Sequence, residues 1–140
     1  MQKTISLHAK PPITLNEADI NRLGEIAKSA IDHLPEVAEE LMSEIERATV
    51  VAARAMPEGV VQMGSIVEFT SDDGQHRRVT LVYPGQADIA QGRVSVLTPI
   101  GTALIGLSEG QSISWTTRDG RQQELTVIAV EAPVTSPQRP

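Results

Sequence analysis

The sequence predicts an α+β protein: an N-terminal antiparallel two-helix coiled-coil hairpin, then an antiparallel β-sheet domain with one short helix. Three observations predict it. From Thr14 to about Ala53, apolar residues recur at helical spacing, and after "RAMPEG" they give way to β-branched, partly alternating runs. Asp73-Gly74 and Asp119-Gly120 are hairpin-turn dipeptides set between such runs. At 140 residues, the chain has room for one ordinary domain and a small appendage.

The elements follow in order. "TLNE" opens the first helix as a capping box, with Thr14 at the cap and Glu17 three residues on. Leu23, Ile26, Ala27, Ala30, Ile31 and Leu34 form its apolar stripe. Pro35 suits the first position of a second helix. On that helix Val37, Ala38, Leu41, Met42, Ile45 and Ala48 share one arc, and Glu36, Glu39, Glu40, Glu44 and Glu46 the other. The two apolar stripes are expected to seal on each other. Residues 65–83 and 111–131 then read as strand pairs, "RVSVL" as a further strand, and "PIGTALIGLSEG" as one short helix closed by a turn. The order β-β-β-α-β-β predicts a twisted antiparallel sheet with a helix on one face. The expected parts are a hairpin over 1–55, a sheet domain over 56–132 and a loose, proline-rich tail over 133–140.

Composition narrows the function. A chain that is 40% hydrophobic and 21% charged is globular, and no apolar run is long enough to span a membrane. "MQKTISLHAKPP" lacks a sustained apolar region, so no secretory signal is expected. The absence of cysteine excludes disulfides and thiolate chemistry and fits a reducing cytoplasm. A net charge of −6, with "RR" at 77–78 the lone adjacent basic pair, argues against direct nucleic-acid binding. Phe69, Tyr83 and Trp115 are the only aromatics, too few for base stacking or an aromatic-lined pocket. A protein partner fits best.

Short catalytic motifs fail on context. "GLSEG" at 106–110 matches a nucleophile elbow, but a helix leads into it where a strand is required, and all three histidines precede Ser108. His8, His33 and His76 lack zinc-ligand spacing. Gly101, Gly106 and Gly110 have no accompanying Lys-Ser/Thr pair to make a phosphate loop. No catalytic residue, metal site or cofactor is assigned.

"SAIDHLPEVAEELMSEIE", residues 29–46, holds six carboxylates and no Lys or Arg. Glu36 and Glu39 complement the helix macrodipole. Glu36/Glu40 and Glu40/Glu44, like charges four apart, each cost roughly 0.2–0.5 kcal/mol. The run is either a solvated face or a surface meant for a partner.

"ADIAQGRVSVLTPIGTALIGLSEGQSI", residues 87–113, resembles the C-terminal domain of the GreA/GreB transcript-cleavage factors. With the flanking hairpins the resemblance covers about 60–131, and it implies an FKBP-like fold. It also implies a coiled coil entering the secondary channel of RNA polymerase while the C-terminal domain grips the rim. Helices of about 16–20 residues, roughly 24–30 Å at 1.5 Å per residue, are too short to reach the active centre. "DHLPE" lacks the acid-rich tip motif of cleavage factors. The short hairpin, "MPEGVVQMGSIVEF" and "TLVYP" are similar to a short-armed branch, the regulators of nucleoside diphosphate kinase.

The resemblance assigns Ser95, Leu97, Thr98 and Pro99 to the rim-contacting loop and Asp32, Glu36, Glu39 and Glu40 to the channel tip. Leu97 either docks in an apolar notch or turns into the core. The implied function is a non-enzymatic regulator that binds core RNA polymerase and competes with cleavage factors, with a direct or indirect link to nucleoside diphosphate kinase. A monomer is expected. The alternatives are a cleavage factor lending tip carboxylates to the polymerase metal, a prolyl isomerase, and a direct modulator of the kinase.

Overall fold

The computed structural model describes residues 10–117 and 119–133. The tail expected over 133–140 lies outside them, apart from Pro133. Strand β1 (Thr14–Asn16) leads into helix α1 (Glu17–Ala30); residues 31–34 link it to α2 (Pro35–Arg47), which returns through β2 (Thr49–Val51). β1 and β2 pair in parallel. Two expectations are corrected here. Thr14 lies in a strand, so the cap of α1 is Asn16, whose side chain accepts from the Ala18 amide at 2.9 Å. Ala48 lies beyond α2, where β-branched "TVV" favours the short strand. The helices therefore hold 14 and 13 residues. Pro35 opens α2 as expected.

The second part is a five-stranded sheet in the order β5-β4-β3-β7-β6. Its strands are β3 (Ile66–Ser71), β4 (His76–Val82), β5 (Arg93–Ser95), β6 (Ser112–Thr116) and β7 (Gln122–Glu131); helix α3 (Pro99–Leu104) falls between β5 and β6. This is the expected sequence of elements. Gly74 and Gly120, at φ 89° and 88°, close the two hairpins, a conformation that glycine adopts without steric cost. One pairing differs: β5 runs parallel to β4, because residues 83–92 cross over as two 3-10 turns where a tight hairpin would have reversed the chain.

Both parts feed one apolar cluster. Leu23, Ala27 and Leu41 of the helices join Phe69, Leu81, Leu104 and Leu125 of the sheet domain. The joint is Ile13–Leu15, in which Ile13 and Leu15 are almost fully buried. Its backbone is pinned on two sides: Thr14 N donates to Gly106 O at 3.1 Å, and Thr49 N donates to Ile13 O at 3.0 Å. Gly106 sits at φ 84°, and a Cβ there would lie 2.8 Å from Ile13 Cβ. No other residue fits that approach.

A polar clamp reinforces the joint. Tyr83, just past β4, donates to Asp19 Oδ1 at 3.3 Å, and the Arg22 guanidinium lies 3.8 Å from the ring centroid. Burial, then the Asp19 charge, pushes the Tyr83 hydroxyl up to about 12 from its ordinary 10. Burial likewise raises the Asp19 carboxyl, against the pull of Tyr83, the Met63 backbone and Arg22. The folded state thus holds the phenolic proton where the unfolded chain has lost it, so stability falls as pH rises from 10 to about 12. Tyr83 is the only tyrosine. A tyrosinate absorbance titration of the native protein should show its midpoint near the raised value, and Asp19→Asn should bring it down.

Candidate functional site

The loop that resembles the rim contact is built by hydrogen bonds of its own. Ser95, buried, accepts from Leu97 N through Oγ at 2.9 Å and from Thr98 Oγ1 through its carbonyl at 2.7 Å. Thr98 caps α3 by accepting from Gly101 N at 3.0 Å, and Pro99 takes the first helical position. Thr102, fully buried, donates to Val96 O at 2.8 Å. The helix lies so close to residues 95–96 that a Cβ on Gly101 would overlap Ser95 O and approach Val96 Cα to 2.9 Å. Leu97 is half-buried against the apolar cluster, and Pro99 is half-exposed. The side chains of Ser95 and Thr98 are therefore committed internally, and the partly exposed Leu97 and Pro99 are the apolar residues of the loop.

The acidic residues divide. Asp32, Glu36 and Glu39 are exposed, and none is in an ion pair among the described residues. Glu40 is exposed and pairs with Lys10. Glu44 departs from the expected solvated face: it is 1% exposed, held by Lys10 Nζ at 3.0 Å and Arg47 Nη2 at 2.9 Å. Arg47 also donates to Pro11 O at 2.5 Å. Burial works to lower the Lys10 value, and the Glu40 and Glu44 carboxylates outweigh it and raise it. The physical reason for the departure is that the segment before β1 folds back along α2, bringing a cation no local pattern could place. Lys10 lies 34 residues from Glu44 and gave no sequence signal.

Three of the assigned residues, Glu36, Glu40 and Pro99, line one cleft, and Ser95, Leu97 and Thr98 do not. A cavity of about 750 Å³ has Glu36, Glu40 and Glu44 on the α2 side and Pro99, Ile113 and Trp115 opposite. Asp32 and Glu39 do not line it. Trp115, in the sequence just one of three aromatics, is the aromatic wall. Among the described residues no cluster of His, Asp or Glu is placed to hold a metal, and no helix is long and apolar enough to cross a membrane.

Comparison with known proteins places this geometry. Two family models match: transcription elongation factor GreA/GreB, C-terminal, over residues 56–132, and Rnk N-terminus over residues 11–51. The chain is 36% identical over 125 residues to the regulator of nucleoside diphosphate kinase of Escherichia coli strain K12, covering 88% of this chain and 91% of that protein. It is 41% identical over 73 residues to transcription elongation factor GreA of Nitratidesulfovibrio vulgaris, covering 51% of this chain and 46% of that one. A solved structure described as prokaryotic transcription elongation factor GreA/GreB from Nitrosomonas europaea aligns with a TM-score of 0.70 at 31% identity, covering 88% of this chain and 100% of that chain. These relatives bear the names of regulators and elongation factors.

Three stability outcomes follow from the site. Gly101→Ala forces α3 off the 95–96 backbone and should cost about 2 kcal/mol or more by overpacking, read from the urea midpoint. Removing one partner of a fully buried ion pair costs about 3–5 kcal/mol. With Lys10 still in place, Arg47→Ala should cost about 2 kcal/mol, less than that full penalty. Glu44→Met, which removes the buried charge itself, should cost less than Arg47→Ala in the same measurement.

Proposed function

The chain belongs to the family of GreA/GreB transcription elongation factors and regulators of nucleoside diphosphate kinase, and from that premise we propose that it regulates transcription by docking on core RNA polymerase. In this reading the sheet domain is an FKBP-like platform that grips the rim of the secondary channel through Leu97 and Pro99. The helix pair is a short antiparallel hairpin whose exposed Asp32, Glu36 and Glu39 occupy the channel mouth. It excludes cleavage factors by occupancy and does not itself cleave RNA.

The observation that carries the reading is reach. Fourteen residues in α1 and 13 in α2 give helices of about 20 Å at about 1.5 Å per residue, the most the pair could extend. That length suits a doorway and falls short of an active centre. The carboxylates at its end are free of internal ion pairs among the described residues, apart from Glu40, which Lys10 holds. The link to nucleoside diphosphate kinase that the relative's name carries is read here as indirect, through transcription.

Competition for core polymerase tests partner, site and mode together. The chain should displace a GreA-type factor from core polymerase in proportion to its concentration and leave the RNA of a backtracked complex uncut. The double variant Glu36→Lys with Pro99→Ala should lose at least tenfold in affinity. Undiminished binding by that variant would remove the assigned surfaces, and shortened RNA would replace the reading with a cleavage factor.

A further inference from the structure

We infer that the cleft between α2 and the β6 edge is a docking site for an extended, basic segment of a partner protein, which adds to β6 as a sixth strand. β6 is the end strand of the sheet and, among the described residues, pairs with β7 alone. Thr117 N donates to Arg121 O at 2.8 Å and Val127 N donates to Gln111 O at 3.0 Å, which fixes the ladder phase at both ends. By the alternation of an antiparallel ladder, Ser112, Ser114 and Thr116 turn their backbone N–H and C=O away from β7. Proteins normally blunt such an edge with Lys, Pro or a covering element. "SISWT" carries no charge and no proline, and it lines an open cleft of about 750 Å³ instead. An edge of this kind offers main-chain pairing to an extended partner.

The lining says what else the partner carries. Ile113 and Trp115 give the cleft an apolar wall, so alternate apolar side chains fit against β6. Opposite them stand Glu36, Glu40 and Glu44; Lys10 and Arg47 hold the buried Glu44 and Lys10 also pairs with Glu40, so Glu36 and the exposed Glu40 carry the charge that a basic segment would meet. The protein itself demonstrates the complementarity: Lys10, on the segment entering β1, seats its ammonium between Glu40 and Glu44. Two residues on, Pro12 O accepts from Gln111 Nε2 at 3.1 Å, beside the start of β6. Glu36 remains without such a cation among the described residues. A segment alternating basic and apolar residues meets both walls at once.

Trp115 is the only tryptophan, so its fluorescence reports cleft occupancy directly. The probes are a blocked synthetic hexapeptide alternating lysine and valine, its glutamate counterpart, and spermidine as a cation without a backbone. The lysine peptide should give a saturable Trp115 shift that weakens as salt rises. Ser114→Pro, which removes an outward N–H and leaves the β7 ladder intact, should weaken it at least tenfold, as should Glu36→Lys. Should Ser114→Pro fail to fold, a lysine peptide N-methylated at alternate amides replaces it and should bind at least tenfold more weakly in one methylation phase. An equal response to the glutamate peptide, a spermidine response matching the lysine peptide, or binding indifferent to both backbone blocks would overturn the assignment. No polymerase is present in this measurement, so its failure is distinguishable from failure of the polymerase reading.

Discussion

The close approach of two backbones at Gly106 fixes how the helix pair sits on the sheet. Ile13 and Thr14 press against this glycine, Thr14 hydrogen-bonds to its carbonyl, and its own amide donates to Val61 O at 2.9 Å. A side chain at that position would lift β1 and, through the β1–β2 pair, the base of both helices. Gly101 does similar work one turn upstream, letting α3 lie on the 95–96 backbone. Two missing methyl groups thus set the spacing among the helix pair, the loop before α3 and the sheet. The cleft is what remains between the elements they position.

Electrostatics adds a second layer. The stretch that reads as six uncompensated carboxylates is partly neutralised in three dimensions, because Glu44 is buried between two cations and Glu40 shares one of them. Such a buried group contributes little favourable energy by itself, since desolvation offsets much of the attraction. What it does is tie the chain before β1 to α2 and leave Asp32, Glu36, Glu39 and Glu46 as the charge that faces outward.

Much of this was legible in the sequence because it is local. Asp-Gly pairs specify tight reversals, Pro35 and Pro99 begin helices, and the change of period near residue 56 marks the passage from the helix pair to the strands. The misreadings came from pairings between distant segments. "TLN" makes a good helix start until "TVV", 35 residues later, offers it a strand partner. Likewise Glu44 sits on the polar arc of a helical wheel, and only the return of Lys10 makes that arc an interior surface. The resemblance singles out residues 95–99, but the internal hydrogen bonds of that loop depend on how closely α3 packs. No residue pattern states that distance, although a glycine inside a short helix hints at it.

The parallel pairing of β1 with β2 has a consequence for how such an arm can evolve. The chain leaves the platform and comes back through two neighbouring strands held in fixed register, Thr14 against Thr49 and Asn16 against Val51. Whole turns inserted in matched numbers into both helices would lengthen the projection by about 5.4 Å each, and the anchorage would not change. Helix length is thereby uncoupled from anchorage, and selection can adjust one without disturbing the other.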